Sequence, residues 1–103
     1  METKSTEKFG LNKDIIDDIN SVIKRFPKVE KVLIYGSRAT NTYKNYSDID
    51  IAIFSTTLTA QEFSDLWNQL NDLPSIFKID LVHFEGLSND TLKKEILITG
   101  KDF

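Results

Sequence analysis

Apolar residues near the start of the chain recur every three or four positions, which is the spacing of one face of an α-helix. They are Ile15, Ile16, Ile19, Val22, Ile23 and Phe26. Asn12 is a candidate N-cap for this helix, and Pro27 marks its end. The polar residues 1–10 carry no such pattern, so we predict a flexible N-terminal segment over 1–10 and a single domain over 11–103.

Three short segments have the pattern of β-strands. Lys31 to Gly36 is an apolar run that ends in glycine, which indicates a buried strand. Asp48 to Phe54 alternates between apolar and other residues, and Phe77 to Phe84 forms a third apolar segment. In the second strand, alternation places Asp48 and Asp50 on one face and three isoleucines on the other. The isoleucines are Ile49, Ile51 and Ile53.

Two helices are predicted between these strands. Ser37 can open a short helix whose first N–H groups point back toward the end of the first strand. Thr59-Ala60-Gln61-Glu62 has the sequence of a capping box and starts a longer helix, which ends before Pro74. The residues that this longer helix is predicted to bury are Phe63, Leu66, Trp67 and Leu70.

A last helix completes the pattern. It is capped by Ser88 or Asn89 and closed by Gly100. Its predicted apolar residues are Leu92, Ile96 and Leu97. Helices and strands alternate along one chain, which predicts the α/β class with three helices packed on a small sheet.

Composition narrows the range of functions. The 103 residues carry a formal net charge of −3, without the basic excess expected of a protein that grips a long nucleic acid. The absence of cysteine excludes disulfides and cysteine-ligated zinc. The N-terminus does not resemble a signal peptide, and no apolar run is long enough to span a bilayer. We therefore expect a cytoplasmic protein that does not bind a membrane.

Three aspartates interrupt the apolar strands. Asp48 and Asp50 are two positions apart, so in a strand their Cα atoms lie about 7 Å apart on one face, where both can reach a divalent cation. Asp80 lies in the middle of the third strand. Taken alone, the first two could be solvated residues at a strand edge, and Asp80 could pair with Lys78 or Arg38. Aspartate is depleted from strand interiors, however, and a buried cluster needs a positive partner, which favours a metal site.

The residues that follow the first strand suit a phosphate group. Gly36 allows close approach of the backbone, Ser37 offers amide and hydroxyl donors, and Arg38 carries a planar guanidinium. The alternative is a tight turn with a surface arginine. A hydrolase triad of Ser37, His83 and an aspartate is disfavoured, because the G-x-S-x-G elbow is absent. The phosphate-binding loop G-x-x-x-x-G-K-[ST] is absent as well.

Taken together, Gly36-Ser37 and Asp48-Ile49-Asp50 resemble the signature of the DNA polymerase β-like nucleotidyltransferases. Gly-Ser-Arg-Ala followed by Ser-Asp-Ile-Asp is similar to the minimal nucleotidyltransferases, the MNT branch of that superfamily. The resemblance implies a mixed sheet of three or four strands with helices packed on it. It departs from the family pattern at Asn41, where glycine is common, and at Thr40, where a basic residue is frequent. Asparagine tolerates the left-handed conformation, so the turn should survive.

The resemblance also implies roles for the site residues. Asp48, Asp50 and Asp80 would be catalytic and would bind metal, with two Mg²⁺ ions expected. Gly36, Ser37 and Arg38 would hold the triphosphate of ATP or another nucleoside triphosphate. The implied reaction transfers a nucleoside monophosphate, expected to be AMP, to a hydroxyl group.

Minimal members of the family are usually encoded beside an all-helical HEPN or substrate-binding protein. We therefore expect a hetero-oligomer in which this chain, acting like an antitoxin, modifies a HEPN-type partner. Two alternatives remain open at this stage. The chain could be a non-catalytic module that neutralises its partner by masking it, or it could modify a small molecule, as the aminoglycoside nucleotidyltransferases do.

Overall fold

The structure, a computed structural model, describes residues 8–103. Residues 1–7, and with them most of the segment predicted to be flexible, lie outside the described residues. Lys8 and Leu11 form a β-bridge. The ring of Phe9 packs against the core and stacks on that of Phe103, with ring centroids 6.2 Å apart. Packing therefore begins ahead of residue 11, the predicted start of the domain.

Helices and strands alternate through the described residues. The helices are α1 (Lys13–Ile23), α2 (Ser37–Thr40), α3 (Ala60–Asn71) and α4 (Asp90–Thr99), and a 3₁₀ turn covers Phe84–Gly86. The strands are β1 (Lys31–Ile34), β2 (Ile49–Phe54), β3 (Ile79–His83) and β4 (Lys101–Asp102). No helix of the described part is long and apolar enough to cross a membrane.

The four strands form one mixed sheet in the order β3-β2-β1-β4. Strand β1 pairs antiparallel with both of its neighbours, β2 and β4, whereas β2 and β3 are parallel. Helix α3 lies in the crossover that a parallel pair requires. The predicted fold class is therefore confirmed. The pattern of the sequence did not reveal β4, because its two residues are both exposed and carry no alternation.

Side-chain caps begin the longer helices at the predicted positions. The side chain of Asn12 accepts a hydrogen bond from the amide of Ile15 at the start of α1. Thr59 and Glu62 form the complete capping box of α3. Of the two candidates for α4, Asn89 is the cap. Each cap satisfies an amide group that has no partner within its helix.

Apolar side chains pack on both faces of the sheet. The larger core lies on the face covered by α1 and α3, and the isoleucines of β2 point into it as predicted. The smaller core lies on the α4 face and consists of Leu33, Tyr35, Ala52 and Ile96, with five partly buried apolar neighbours. Because strand side chains alternate, Asp50 lies on this second face together with Ala52. The aspartates are thus separated from the larger core.

Two residues predicted to be buried are exposed instead. Trp67 on α3 is 40% exposed and Leu97 on α4 is 64% exposed. Each follows the buried residue of its helix by one position, which rotates the side chain by about 100° away from the sheet. The fully buried residues are Leu66 and Leu70 on α3 and Ile96 on α4, and the partly buried Phe63 and Leu92 extend these stripes by one turn.

Asn41 ends α2 in the left-handed conformation, with φ 64° and ψ 31°. We predict that Asn41→Gly leaves the free energy of unfolding unchanged or raises it slightly, because glycine adopts this conformation without a steric penalty. Asn41→Ala should lower it by about 1 kcal/mol. Denaturant unfolding would measure both changes. Asn45→Ala is the control, because Asn45 is also exposed but has a negative φ; equal effects at the two positions would contradict the prediction.

Candidate functional site

Two of the three predicted aspartates are direct neighbours across parallel strands. Asp50 of β2 is in register with Asp80 of β3, which places their Cα atoms about 4.8 Å apart with both side chains on the α4 face. Asp48 lies immediately before β2, because the strand begins at Ile49 and not at the predicted Asp48. Asp48 and Asp80 are exposed, whereas Asp50 is partly buried.

The turn after β1 meets these aspartates at the same edge of the sheet. β1 is antiparallel to β2, so the end of one lies beside the start of the other, and the amide of Tyr35 donates to the carbonyl of Asp50 at 3.0 Å. Gly36 follows with φ 72° and ψ −148° and caps α2. A Cβ atom on Gly36 would lie 2.8 Å from Oδ2 of Asp50, which is too close for a side chain. Glycine is therefore required here both by its conformation and by its neighbour.

The first amide groups after Gly36 are not used by hydrogen bonds within α2. The amides of Ala39 and Thr40 both donate to the carbonyl of Gly36. Those of Ser37 and Arg38 precede this first hydrogen-bonded turn and have no partner within the helix. The side chain of Ser37 is partly exposed. The turn at Gly36 thus places two free backbone donors, the amides of Ser37 and Arg38, directly after a residue that contacts Asp50.

Helix α4 closes the other side of this turn. The amide of Gly36 donates to Oγ1 of Thr99 at 3.2 Å, and the hydroxyl of Thr99 donates in turn to the carbonyl of Glu95 at 2.8 Å. The carboxylate of Glu95 also faces the turn, since its Oε2 would lie 3.6 Å from a Cβ atom on Gly36. The site therefore draws on α4 as well as on the two strands.

The electrostatics of the site are dominated by negative charge. The pKa of Asp50 is raised from 3.8 to about 6, chiefly by burial and then by the nearby Asp80, Asp48 and Glu95; Arg38 opposes the shift. Tyr35, which is 5% exposed, lies opposite Asp50 on the same face. Burial, followed by the charges of Asp50, Asp80 and Glu95, raises the pKa of its hydroxyl. Four carboxylates and a buried phenol thus share one end of the sheet.

Arg38 does not occupy the position predicted for it. It is 2% exposed, and its guanidinium donates to the carbonyl of Ser47 at 2.8 and 3.2 Å and to the carbonyl of Phe9 at 2.9 Å. The rings of Tyr43 and Phe77 flank it, with centroids 5.0 and 4.8 Å from Cζ. Because these contacts use and bury the guanidinium, the geometry does not support a direct contact with a phosphate. The alternative, a surface arginine on a tight turn, does not describe it either.

His83 is remote from the serine of the turn. It ends β3, at the opposite end of the strand from Asp80, and its Nε2 lies 2.8 Å from the carbonyl oxygen of Ser55 and 3.5 Å from Oε1 of Glu85. A triad of Ser37, His83 and an aspartate is therefore not formed.

The donor set of the site suits a hard divalent cation. Every charged ligand is a carboxylate oxygen, as Mg²⁺ prefers, and Asp50 is partly buried among like charges. Within residues 8–103 no three acidic or histidine side chains form a ready-made metal cage. Mg²⁺ commonly takes only one or two carboxylates and completes its shell with water and substrate phosphates. The residues present therefore fit an ion that is bound together with a phosphorylated substrate.

The contributions of Tyr35, Glu95 and Thr99 were not predicted from the sequence. Glu95 and Thr99 lie on one face of α4 because they are four residues apart, but nothing in the sequence relates that face to Gly36, which is 63 residues from Thr99. Tyr35 could have been found by alternation, since it shares a strand face with Leu33.

Comparison with known proteins identifies the class that this fold and site define. The sequence model of the family described as polymerase beta nucleotidyltransferase matches residues 17–103. The chain belongs to this family of nucleotidyltransferases. The resemblance deduced from the Gly-Ser and Asp-x-Asp motifs is confirmed.

Known relatives agree with this assignment. The chain is 38% identical over 85 residues to a Methanocaldococcus jannaschii protein provisionally named protein adenylyltransferase MJ0128, covering 82% of this chain and 86% of that one. A chain in the crystal structure of a toxin–antitoxin with AMP-PNP superposes with a TM-score of 0.68 at 26% identity, covering 89% of this chain and 72% of that chain. A chain in the structure of the tri-AMPylated Shewanella oneidensis HEPN toxin with its MNT antitoxin has the same fold, with a TM-score of 0.60 at 24% identity over 85% of this chain and 70% of that chain.

We predict that Arg38 is needed for stability. Arg38→Lys should lower the free energy of unfolding by about 3 kcal/mol, because an ammonium cannot replace the planar fork that bonds two carbonyls between two rings. Arg25→Lys is the matched control, since Arg25 is exposed and, among residues 8–103, its side chain donates only to Gln69; its effect should stay within about 0.5 kcal/mol. Unchanged stability in Arg38→Lys together with weakened nucleotide binding would restore the phosphate-binding interpretation.

We also predict that Asp50 destabilises the metal-free fold at neutral pH. Because folding raises the pKa of this carboxyl from 3.8 to about 6, stability falls as the pH rises through that window. Asp50→Asn should therefore raise the melting temperature at pH 7 by about 4–8 °C, if about 1 kcal/mol survives solvent screening. Below about pH 4 the difference should vanish. Asp65→Asn, an exposed change on α3, is the control, and a lower melting temperature for Asp50→Asn at pH 7 would contradict the prediction.

Proposed function

We propose that the chain transfers AMP from ATP to a hydroxyl group on an all-helical HEPN-type protein partner encoded nearby. The observation that carries this proposal is the register of Asp50 and Asp80 beside the Gly36-Ser37 turn. This arrangement brings a pair of carboxylates against a set of backbone amide donors. Phosphoryl chemistry on a nucleotide depends on both parts, because it relies on positioning and charge neutralisation.

Each residue of the site has a separate role in the proposed transfer. The free amides of Ser37 and Arg38 and the hydroxyl of Ser37 receive oxygens of the triphosphate, and Gly36 lets the backbone approach them closely. Asp48, Asp50 and Asp80 would hold Mg²⁺, and two ions are expected. When bound, Mg²⁺ would neutralise negative charge on the triphosphate and on the departing pyrophosphate. Asp80, exposed at the edge of the sheet, accepts the proton of the acceptor hydroxyl. The acceptor oxygen bonds to the α-phosphorus, and the bond from that phosphorus to the bridging oxygen of pyrophosphate breaks.

Arg38 contributes by positioning. Its guanidinium bonds the carbonyl of Ser47, the residue immediately before Asp48, while its own backbone belongs to α2. The side chain therefore holds the amide donors and the aspartates at a fixed separation. Its charge also favours the ionised form of Asp50.

The names of similar proteins and the exposed apolar surface of α4 both support a protein as the acceptor. A relative is provisionally named a protein adenylyltransferase, and a structural neighbour contains a HEPN toxin that carries AMP. On this chain, Ile98 of α4 is 81% exposed and lies three residues from Glu95, on the adjoining part of the helix surface, and the exposed Leu97 extends the apolar surface of the helix away from the site. A partner that covered these apolar residues would sit at the rim of the site and could present a hydroxyl to it.

We predict that the intact mass of the HEPN partner increases by one or more AMP units when the partner is mixed with the chain, ATP and Mg²⁺. Asp50→Asn should abolish the increase, since the amide cannot hold the cation, and Asp80→Asn should lower kcat more than nucleotide affinity. Asp65→Asn should leave transfer unchanged.

The same experiment separates the alternatives. The activity of the partner is measured in parallel. If Asp50→Asn still inhibits that activity and the wild-type chain adds no AMP, the chain is a masking module. If the isolated chain modifies an aminoglycoside but not the partner, the hypothesis of a small-molecule nucleotidyltransferase replaces the proposal.

A further inference from the structure

Glu95 is an acidic residue of the site to which the motifs of the sequence assign no role. Its Oε2 and Oδ2 of Asp50 both lie within 3.6 Å of the position where Gly36 would carry a Cβ atom. The two oxygens therefore flank one point, from α4 on one side and from β2 on the other. Among residues 8–103 the ion pairs are Lys13–Asp17, Lys28–Glu62 and His83–Glu85, so neither Glu95 nor Asp50 has a cationic partner within ion-pair distance there.

We propose that Glu95 is a further carboxylate ligand for the divalent cation of the site, opposite Asp50 across Gly36. This inference rests on the proposed function for the presence of the cation but adds a ligand from a third element of the fold. Metal binding would then join α4 to the sheet, and not only β2 to β3.

The position of Glu95 relative to the amide donors supports this role. A phosphate held by the Gly36-Ser37 turn would lie near the Glu95 carboxylate, and two negative groups repel each other unless a cation lies between them. Mg²⁺ bridges carboxylates and substrate phosphates in this way in phosphoryl-transfer sites. A carboxylate at the turn is thus compatible with a triphosphate when it shares the cation.

Tyr35 supplies an independent observation. It is 5% exposed and lies opposite Asp50 on the α4 face, where it packs with Ile96, the neighbour of Glu95. No hydrogen bond to its hydroxyl is formed within the described residues. A buried polar group without a partner is costly, and here it faces the cluster of carboxylates. A hydrated cation between Asp50 and Glu95 would bring water molecules that can satisfy this hydroxyl.

The test measures binding of Mn²⁺ in the absence of nucleotide, by electron paramagnetic resonance of the free ion. Glu95→Gln should weaken binding about tenfold, because it removes one unit of charge next to a doubly charged ion. Asp65→Asn removes the same charge on α3, on the opposite face of the sheet, and should change the affinity less than twofold. Glu95 is exposed, so the variant should fold, and circular dichroism would verify this; Glu95→Ala provides a second variant.

A second readout distinguishes a ligand from a distant charge. Mn²⁺ should slow amide hydrogen exchange in α4 of the wild-type chain, and Glu95→Gln should lose this protection while keeping any protection in β2. The inference is overturned if Glu95→Gln binds Mn²⁺ as tightly as Asp65→Asn does, or if it only raises ATP affinity. If the wild-type chain binds no Mn²⁺ without nucleotide, this inference is overturned while a metal site completed by the triphosphate still stands. If Asp50→Asn binds Mn²⁺ as tightly as the wild-type chain does, the metal site of the proposed function fails as well.

Discussion

The buried guanidinium of Arg38 is the contact on which the rest of the site depends. It lies between two aromatic rings and bonds the carbonyls of Ser47 and Phe9. Through these bonds one side chain connects α2, the residue before the aspartates and the N-terminal part of the described chain. Ten residues separate the Gly-Ser and Asp-x-Asp halves of the motif, and from the end of α2 at Thr40 to the start of β2 they form neither helix nor strand. Arg38 supplies the rigidity that this segment lacks.

The carboxylates of the site, in contrast to Arg38, make the fold less stable. Asp48, Asp50, Asp80 and Glu95 gather at one end of a small sheet, and burial makes the charge on Asp50 more unfavourable. A core residue at position 50 would favour the fold more than an aspartate does. The chain tolerates this conflict because Asp50 is on the α4 face, away from the larger core that stabilises the sheet. Strain of this kind is typical of binding and catalytic sites.

Much of the architecture could be predicted from local patterns. Isoleucine alternation in β2 and the caps at Asn12 and Thr59 depend on neighbouring residues, so a single sequence reveals them. The register that places Asp50 beside Asp80 is different, because it is set by pairing between distant segments. It could only be anticipated from the resemblance to a known family.

The errors have related causes. Arg38 is buried because the carbonyls of Phe9 and Ser47 and two aromatic rings surround its guanidinium, and no local pattern of the sequence specifies these contacts. Trp67 and Leu97 were predicted to be buried because periodicity does not reveal how wide a stripe the sheet can cover. Glu95 and Thr99 reach the site only through tertiary packing of α4.

The weak attachment of α4 has a consequence for motion. Ile96 is the one fully buried side chain of this helix, whereas α1 contributes four buried residues to the larger core. Segments with little buried apolar area open locally at a lower free energy than the domain as a whole unfolds. Each such opening would break the bond between Thr99 and Gly36 and carry Glu95 away from Asp50. The Gly36 turn would then be transiently open on one side in the free protein, and any ligand or partner that clamps α4 would select the assembled form from this ensemble.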